Sequence, residues 1–353
     1  MSDLESFKIS NINIGINYPP FCIAEVGINH NGDLNIAKKM VDIAKKSGAD
    51  AVKFQTFKAN EICSSEDQTY TYLSKGKQVT ESMLKMFQRY EFSIHDWREI
   101  KDYCSALDII FFSTPQNYSD LNLLLELNIP AIKIGSDDFT NIPLIELYAK
   151  TNIPLILSCG MANLQEVHES INASGWKKGN KIALLICTSQ YPTPLRDVNL
   201  NKIKTLHENF PGLIIGFSDH TEGYFAASIA VGMGARILEK HFTLDKNLPG
   251  PDHWFSSNPD ELTSWVSSIK NAYMSLGSSN ITPTESEIEM RKIARRTVTA
   301  IKDIKIGDTF DLTNISLLRP GIGIEPRYIN KIIGKKSKNK IESHSKIKLE
   351  DFE

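Results

Sequence analysis

Two histidines close consecutive apolar runs in this chain, Gly216-Phe217-Ser218-Asp219-His220 and Leu238-Glu239-Lys240-His241. Imidazoles arriving side by side can hold a divalent metal and still leave coordination positions for water and substrate oxygens. Lys53 and Lys133 sit within or at the end of two earlier runs. A buried ammonium is costly there unless it meets an anion, and phosphate is the natural partner. Thr114, Ser136, Ser158, Ser189 and Ser218 fall at the ends of successive runs, where hydroxyls and loop amides can cradle phosphate and carboxylate oxygens. Glu25 and Glu239 lie inside apolar runs, so each must be paired, solvated by a cavity or protonated, and either can act on a hydroxyl or a water. Singly, each residue has an ordinary structural use: a turn or cap for Ser and Thr, an ion pair with a neighbouring lysine for Glu239. Their recurrence around one rim points to a shared site.

The elements that must position them are eight short apolar runs: Phe21–Val26, Ala51–Gln55, Ile109–Ser113, Ala131–Gly135, Pro154–Cys159, Ile182–Cys187, Leu213–Phe217 and Arg236–His241. Rich in Ile, Val, Leu and Phe and without strict alternation, they predict strands covered on both faces. Helical spacing separates them, as in Leu34–Ser47 after a cap at Asp33, Asp96–Ala106 after Ser93, and Leu121–Leu127. Strand-then-helix order, with no early Gly-x-Gly-x-x-Gly turn, predicts an α/β fold of the (β/α)8 TIM-barrel type, in which the carboxyl ends of the strands converge on one face. The predicted domains are a barrel over 1–276, a linker and helix over 277–296, and a small β-rich domain over 297–353. Gly277–Thr284 is the hinge; in the helix Glu285–Arg296, Glu289 and Lys292 can pair; Val298–Ile301, Ile315–Leu318 and Ile332–Gly334 read as short strands and turns.

At 353 residues and 41% hydrophobic content the chain can bury a large core, and its net charge of −2 gives no electrostatic reason to bind nucleic acid or an anionic membrane. The lysine-rich run Lys331–Lys340 reads as a solvated loop. No stretch approaches a membrane span, and Met1–Tyr18 lacks the pattern of a secretion signal, so a cytoplasmic location is expected. Cys22, Cys63, Cys104, Cys159 and Cys187 form no Cys-x-x-Cys pair and are expected as reduced thiols.

These residues fall in motifs that resemble the sialic acid (nonulosonate) synthases. They include Ala24-Glu25-Val26-Gly27-Ile28-Asn29-His30-Asn31-Gly32, Val52-Lys53-Phe54-Gln55, Phe112-Ser113-Thr114-Pro115, Lys133-Ile134-Gly135-Ser136, Leu157-Ser158-Cys159-Gly160-Met161 and Cys187-Thr188-Ser189-Gln190-Tyr191-Pro192. Gly216–Thr221, Glu239–Thr243 and Pro249-Gly250-Pro251-Asp252-His253 follow in family order. In the tail, Lys302-Asp303-Ile304-Lys305-x-Gly307 and Leu318-Arg319-Pro320-Gly321 resemble the family's antifreeze-like SAF domain.

The resemblance implies condensation of phosphoenolpyruvate with an N-acyl mannose-type sugar, giving a nonulosonic acid and phosphate. N-acetylmannosamine is the first expectation for the acceptor, with legionaminic or pseudaminic acid synthesis as the alternative. It assigns His220 and His241 to Mn²⁺ or Mg²⁺, and Lys53, Thr114, Lys133, Ser136, Ser158, Ser189 and Ser218 to phosphoenolpyruvate. Gln55, Tyr191 and Asp252 would contact the sugar, Glu25 would bind its hydroxyls, and Glu239 would stand near the attacking water. A domain-swapped homodimer would bring Arg319 to the partner's sugar site. Ser189 stands where Asn is common in N-acetylneuraminate synthases, and the segment Asp252–Ser256 departs from a familiar loop, which leaves sugar identity open; His253 and Trp254 are candidates for reading it. Two other classes fit the same residues: an aldolase using a Schiff base on Lys53 or Lys133, and a non-catalytic sugar-binding protein.

Overall fold

The computed structural model describes residues 6–352, so the start of the segment read as lacking a secretion signal, residues 1–5, lies outside it. The chain divides into two compact units, one running to Gly277 and the other beginning at Ser278. The first is a closed, all-parallel barrel of β1 (Phe21–Gly27), β2 (Ala51–Thr56), β3 (Ile110–Pro115), β4 (Ile132–Ile134), β5 (Leu155–Ser158), β6 (Ile182–Ile186), β7 (Ile214–Ser218) and β8 (Ile237–His241), in chain order around the ring. Each strand falls on one of the expected apolar runs, with ends shifted by a residue or two.

Why continuous apolar runs serve here is visible in the alternation. Outward positions such as Cys22, Ala24, Val52, Phe54, Leu155, Leu157, Leu184, Phe217 and Leu238 join the helices in the larger core. Inward positions Phe21, Ile23, Ala51, Phe112, Ala131, Ile156, Leu185 and Ile237 fill the barrel interior. Gly216 is the one inward position of β7 without a side chain, because a Cβ there would stand 2.2 Å from Leu185 Cδ2. Toward the carboxyl ends the inward positions turn polar while staying buried: Glu25, Lys53, Lys133, Ser158, Ser218 and Glu239. A hairpin absent from the sequence reading, Ser6–Ile9 paired with Ile12–Gly15, adds Phe7, Ile9 and Ile14 to the interior cluster.

Helix starts follow their caps. Asp33 accepts the Asn35 and Ile36 amides at the head of Leu34–Lys46, and Ser93 with Asp96 forms a capping box for Ile94–Ala106. Tyr118–Glu126 starts earlier than the expected Leu121, with the Asn117 amide donating to Asp120 Oδ2 at 2.9 Å at its head. A second unexpected hairpin, Thr69–Ser74 with Lys77–Ser82, follows β2; Lys75 and Gly76 both take positive φ, 52° and 74°, as a two-residue turn matching strand twist requires.

In the second unit the helix Glu285–Ala294 carries the expected pair, Lys292 Nζ lying 2.7 Å from Glu289 Oε1. Thr297–Ala300 pairs antiparallel with Ile315–Leu318 over a core of Val298, Ile304, Phe310, Ile332, Ile341 and Ile347. Ile332–Gly334 contains no strand: Ile332 ends the single helical turn Ile329–Ile332 and packs into that core. Among the described residues no helix is long and apolar enough to cross a membrane, and all five cysteines are free.

Candidate active site

At the carboxyl ends of the strands lies a cavity of about 620 Å³. Glu25, Lys53, Gln55, Thr114, Lys133, Ser136, Ser158, Ser189, Tyr191, Ser218, His220, Glu239, His241 and Asp252 all line it. Each barrel strand or the loop after it contributes, which is what strand-end convergence in a closed barrel produces. Arg319 belongs to the second unit, where it is exposed.

Four buried charges sit at the cavity floor. Register sets Glu25 of β1 opposite Lys53 of β2, and Lys53 Nζ stands 2.9 Å from Glu25 Oε1. Glu239 bridges the two lysines, 3.7 Å from Lys53 Nζ and 3.9 Å from Lys133 Nζ. Neither Glu25 oxygen has an aligned hydrogen bond, so the contact with Lys53 is one of charge. Burial, with Glu239 adding, pushes the Glu25 carboxyl up to about 7 against the pull of Lys53. For Glu239 burial is outweighed by Lys133 and Lys53, which hold it below the usual carboxylate range. Burial likewise opposes the Lys53 ammonium, but Glu239 and Glu25 outweigh it and raise its pKa; Lys133, less well paired, is lowered by burial. Two carboxylates in one site thus have different protonation tendencies, the arrangement acid–base chemistry needs.

The hydroxyls hold these charges in place. Lys53 Nζ donates to Thr114 Oγ1 at 3.0 Å, Lys133 Nζ donates to Ser158 Oγ at 2.8 Å, and Ser218 Oγ donates to Glu239 Oε1 at 3.0 Å. Ser136 Oγ accepts the Gly160 amide at 3.0 Å. A Cβ on Gly160 would come within 2.4 Å of Ser189 Oγ and 2.6 Å of Ser136 Oγ, so the absent side chain leaves room where two hydroxyls converge. That cradle, beside Lys133, suits an oxyanion.

The two imidazoles have ring centroids 5.7 Å apart. His220 Nδ1 lies 2.9 Å from Thr188 O, which assigns the proton to Nδ1 and leaves Nε2 with a lone pair. His241 Nδ1 is buried without a partner, and burial together with the charges of His220 and the lysines holds this ring well below its ordinary pKa, hence neutral. The neutral His241 ring fits a divalent cation, and His220, whose pKa the neighbouring Cys187 raises against burial, offers Nε2 once deprotonated. No cluster of three or more His, Cys, Asp or Glu side chains among the described residues is arranged as a ligand set, so water and substrate oxygens would complete the coordination.

The rest of the lining escaped the sequence reading. Ile28, Ile62, Met83, Met86 and Phe87 form an apolar wall, and Tyr70 comes from the unexpected hairpin. Asp252 faces the same space, with burial raising its carboxyl to about 6 against the pull of His220. Trp254, with Phe255 and Tyr72, lines an adjoining outer cavity. His253 is a correction: it is buried, with Nδ1 2.7 Å from Thr243 Oγ1 and Nε2 3.1 Å from Asn31 Oδ1, so both nitrogens are occupied away from the cavity.

Comparison with known proteins gives a consistent picture. The model of the NeuB family matches residues 40–281, and that of the SAF domain matches residues 295–353. An N,N'-diacetyllegionaminic acid synthase of Legionella pneumophila is 41% identical over 318 residues, 89% of each chain. A pseudaminic acid synthase of Helicobacter pylori is 33% identical over 335 residues, 95% of this chain and 98% of that one. The crystal structure of an N-acetylneuraminic acid (sialic acid) synthetase from Leptospira borgpetersenii superposes with a TM-score of 0.72 at 34% identity, covering 81% of this chain and 94% of that one.

Proposed function

This chain belongs to the NeuB family of sialic, legionaminic and pseudaminic acid synthases, and we propose that it condenses phosphoenolpyruvate with a diacetamido trideoxyhexose, adding water and releasing phosphate. The observation that carries this reading is the convergence of two lysines, two glutamates, five hydroxyl residues and two histidines on one 620 Å³ cavity. The acceptor is chosen from the apolar wall of Ile28, Ile62, Met83, Met86 and Phe87, which suits methyl groups where N-acetylmannosamine carries hydroxyls. The 41% identity to a legionaminic acid synthase points the same way and displaces N-acetylmannosamine as first expectation.

Lys53 and Lys133, with Thr114, Ser136, Ser158, Ser189 and Ser218, hold the phosphate and carboxylate of phosphoenolpyruvate. The arriving phosphate and carboxylate add to the pairing that Glu25 and Glu239 already give the lysines. The enol C3 bonds to the aldehyde carbon of the open-chain sugar, and a proton must reach the aldehyde oxygen. Glu25, with its carboxyl raised to about 7, can hold that proton in part of the population near neutral pH and bind the sugar's hydroxyls. Glu239, kept ionised between the lysines, takes a proton from the water that adds at C2. The C2–O bond to phosphate then breaks as the new C2 hydroxyl gives its proton to the departing phosphate and becomes the keto group, and the lysines stabilise the departing anion. A Mn²⁺ or Mg²⁺ ion held by His220 and His241 would supply Lewis-acid polarisation of the aldehyde oxygen. Gln55, Tyr191 and Asp252 orient the acceptor.

An acceptor survey tests this directly. Incubation with phosphoenolpyruvate, Mn²⁺ and either N-acetylmannosamine, its 6-phosphate or a diacetamido trideoxyhexose is followed by mass detection of a nine-carbon acid. Turnover at least about tenfold faster with the diacetamido sugar is expected, the discrimination a methyl-lined pocket can reach. A preference for N-acetylmannosamine would overturn the acceptor, and no product from any sugar would overturn the reaction.

A further inference from the structure

Asp219 and Lys240 immediately precede the two histidines, and strand alternation turns their side chains out of the barrel interior into the layer between strands and helices. There Lys240 Nζ stands 3.1 Å from Asp219 Oδ2, with the two side chains 5% and 0% exposed. Trp265 Nε1, on the helix Pro259–Leu276, donates to that same Oδ2 at 2.9 Å. Thr221 donates its amide at 2.9 Å and its hydroxyl at 2.7 Å to Asp219 Oδ1, while Lys240 Nζ donates to Thr221 O at 2.6 Å. The Asp219 amide donates to Glu239 O at 2.7 Å.

A fully buried ion pair is a poor way to stabilise a barrel, since apolar residues of similar volume often serve as well or better. What the pair adds is fixed geometry. It ties the turn at 219–221, which carries His220, to the backbone one residue before His241, and a single helix side chain bonds the joint from outside. The rotation of His220 is set separately, by Nδ1 against Thr188 O and by the Thr193 amide donating to His220 O. Separation and rotation of the two rings therefore have different supports.

We propose that the buried Asp219–Lys240 pair, buttressed by Thr221 and Trp265, is a positioning device that holds His220 and His241 at the separation needed to share one divalent cation. It rests on the reading of those histidines as cation ligands. Asp219 and Lys240 are positioning residues: their own polar atoms are engaged with each other, with Thr221 and with Trp265.

Mn²⁺ binding to the full chain, followed by the loss of the free-ion electron paramagnetic resonance spectrum, separates the possibilities. The comparison runs across wild type, His241→Ala, Lys240→Met, Lys240→Arg and the charge-neutral double variant Asp219→Asn/Lys240→Met, with phosphoenolpyruvate affinity measured by calorimetry on each. Wild type is expected to bind one Mn²⁺ per chain and His241→Ala to lose it. The double variant should bind Mn²⁺ on the order of 10- to 100-fold more weakly, as loss of a support behind metal ligands does. Its phosphoenolpyruvate affinity should be unchanged, and Lys240→Arg should recover most of the Mn²⁺ affinity. Wild-type Mn²⁺ affinity in the double variant, while His241→Ala loses the ion, would overturn the positioning role and leave the ligand assignment standing. A parallel loss of phosphoenolpyruvate affinity would make the pair a general support of the barrel and also overturn it. Wild-type chain that binds no Mn²⁺ removes the ligand assignment and the positioning role together.

Discussion

Glu25 is the residue whose environment does most to set the pH behaviour of the site. Its carboxyl is raised to about 7 by burial and by Glu239, so the folded chain holds that proton more tightly than the unfolded one. The stability it contributes is full below about 4.5 and is lost as pH rises through about 7. Urea unfolding of wild type against Glu25→Gln, between pH 5 and 8, should show wild type losing up to about 3 kcal/mol relative to the variant as pH rises; a constant difference would show that Glu25 is ionised throughout. Glu239→Gln removes the ionised group beside the lysines, and kcat should fall by roughly 10²- to 10⁴-fold with little change in phosphoenolpyruvate affinity. Rapid-quench phosphate measurement and calorimetry check the two halves. These chemical residues were legible in the sequence because an ionisable side chain at an inward strand position has no cheap structural alternative. Tyr70, Met83 and Phe87 were not, since an apolar or aromatic side chain reads the same whether it lines a cavity or fills a core.

Among the elements, the eight strands were readable for a related reason: burial on both faces makes each a short uninterrupted apolar run with a polar end. The first hairpin was missed because Ser6–Ile9 alternates exposed and buried residues and forms no apolar run, and the second because Thr69–Ser74 with Lys77–Ser82 is largely exposed on both faces. Its turn, Ser74-Lys75-Gly76-Lys77, did carry the cue, a glycine where positive φ is required. The first hairpin closes the apolar layer of the barrel interior, so Ile14→Ala should cost about 2 to 4 kcal/mol in urea unfolding. Mn²⁺ and substrate affinities should stay unchanged, because Ile14 packs with the apolar interior layer and is absent from the cavity lining. The second hairpin is anchored by Glu81, which accepts Arg89 Nη1 and Nη2 at 2.6 Å each and Tyr72 Oη at 2.6 Å. Glu81→Ala should loosen Tyr70 at the cavity and raise KM for the sugar several-fold while KM for phosphoenolpyruvate holds. A shift in both constants would place the hairpin's influence on the whole site.

For the whole molecule, the family and its two-domain composition are settled by the NeuB and SAF matches, whereas subunit organisation is a proposal. In the second unit the helix Glu285–Ala294 leaves Ile288, Met290 and Ile293 exposed. Arg319 belongs to the second unit and is exposed. If it completes the partner's site, inactive Arg319→Ala and inactive Glu239→Gln chains, unfolded and refolded together in equal amounts, should regain about a quarter of wild-type activity, since half the dimers are mixed and each holds one intact site. No recovery above either parent would assign Arg319 to its own chain's site or to none.

One measurement bears most directly on the chemistry assigned to this cavity: the fate of ¹⁸O placed in the bridging C–O–P oxygen of phosphoenolpyruvate, with Mn²⁺ and a diacetamido trideoxyhexose present. Water addition at C2 followed by C–O cleavage sends the label into inorganic phosphate, with none released when the sugar is omitted. Label retained in the nine-carbon acid, or phosphate released without any acceptor, would contradict it.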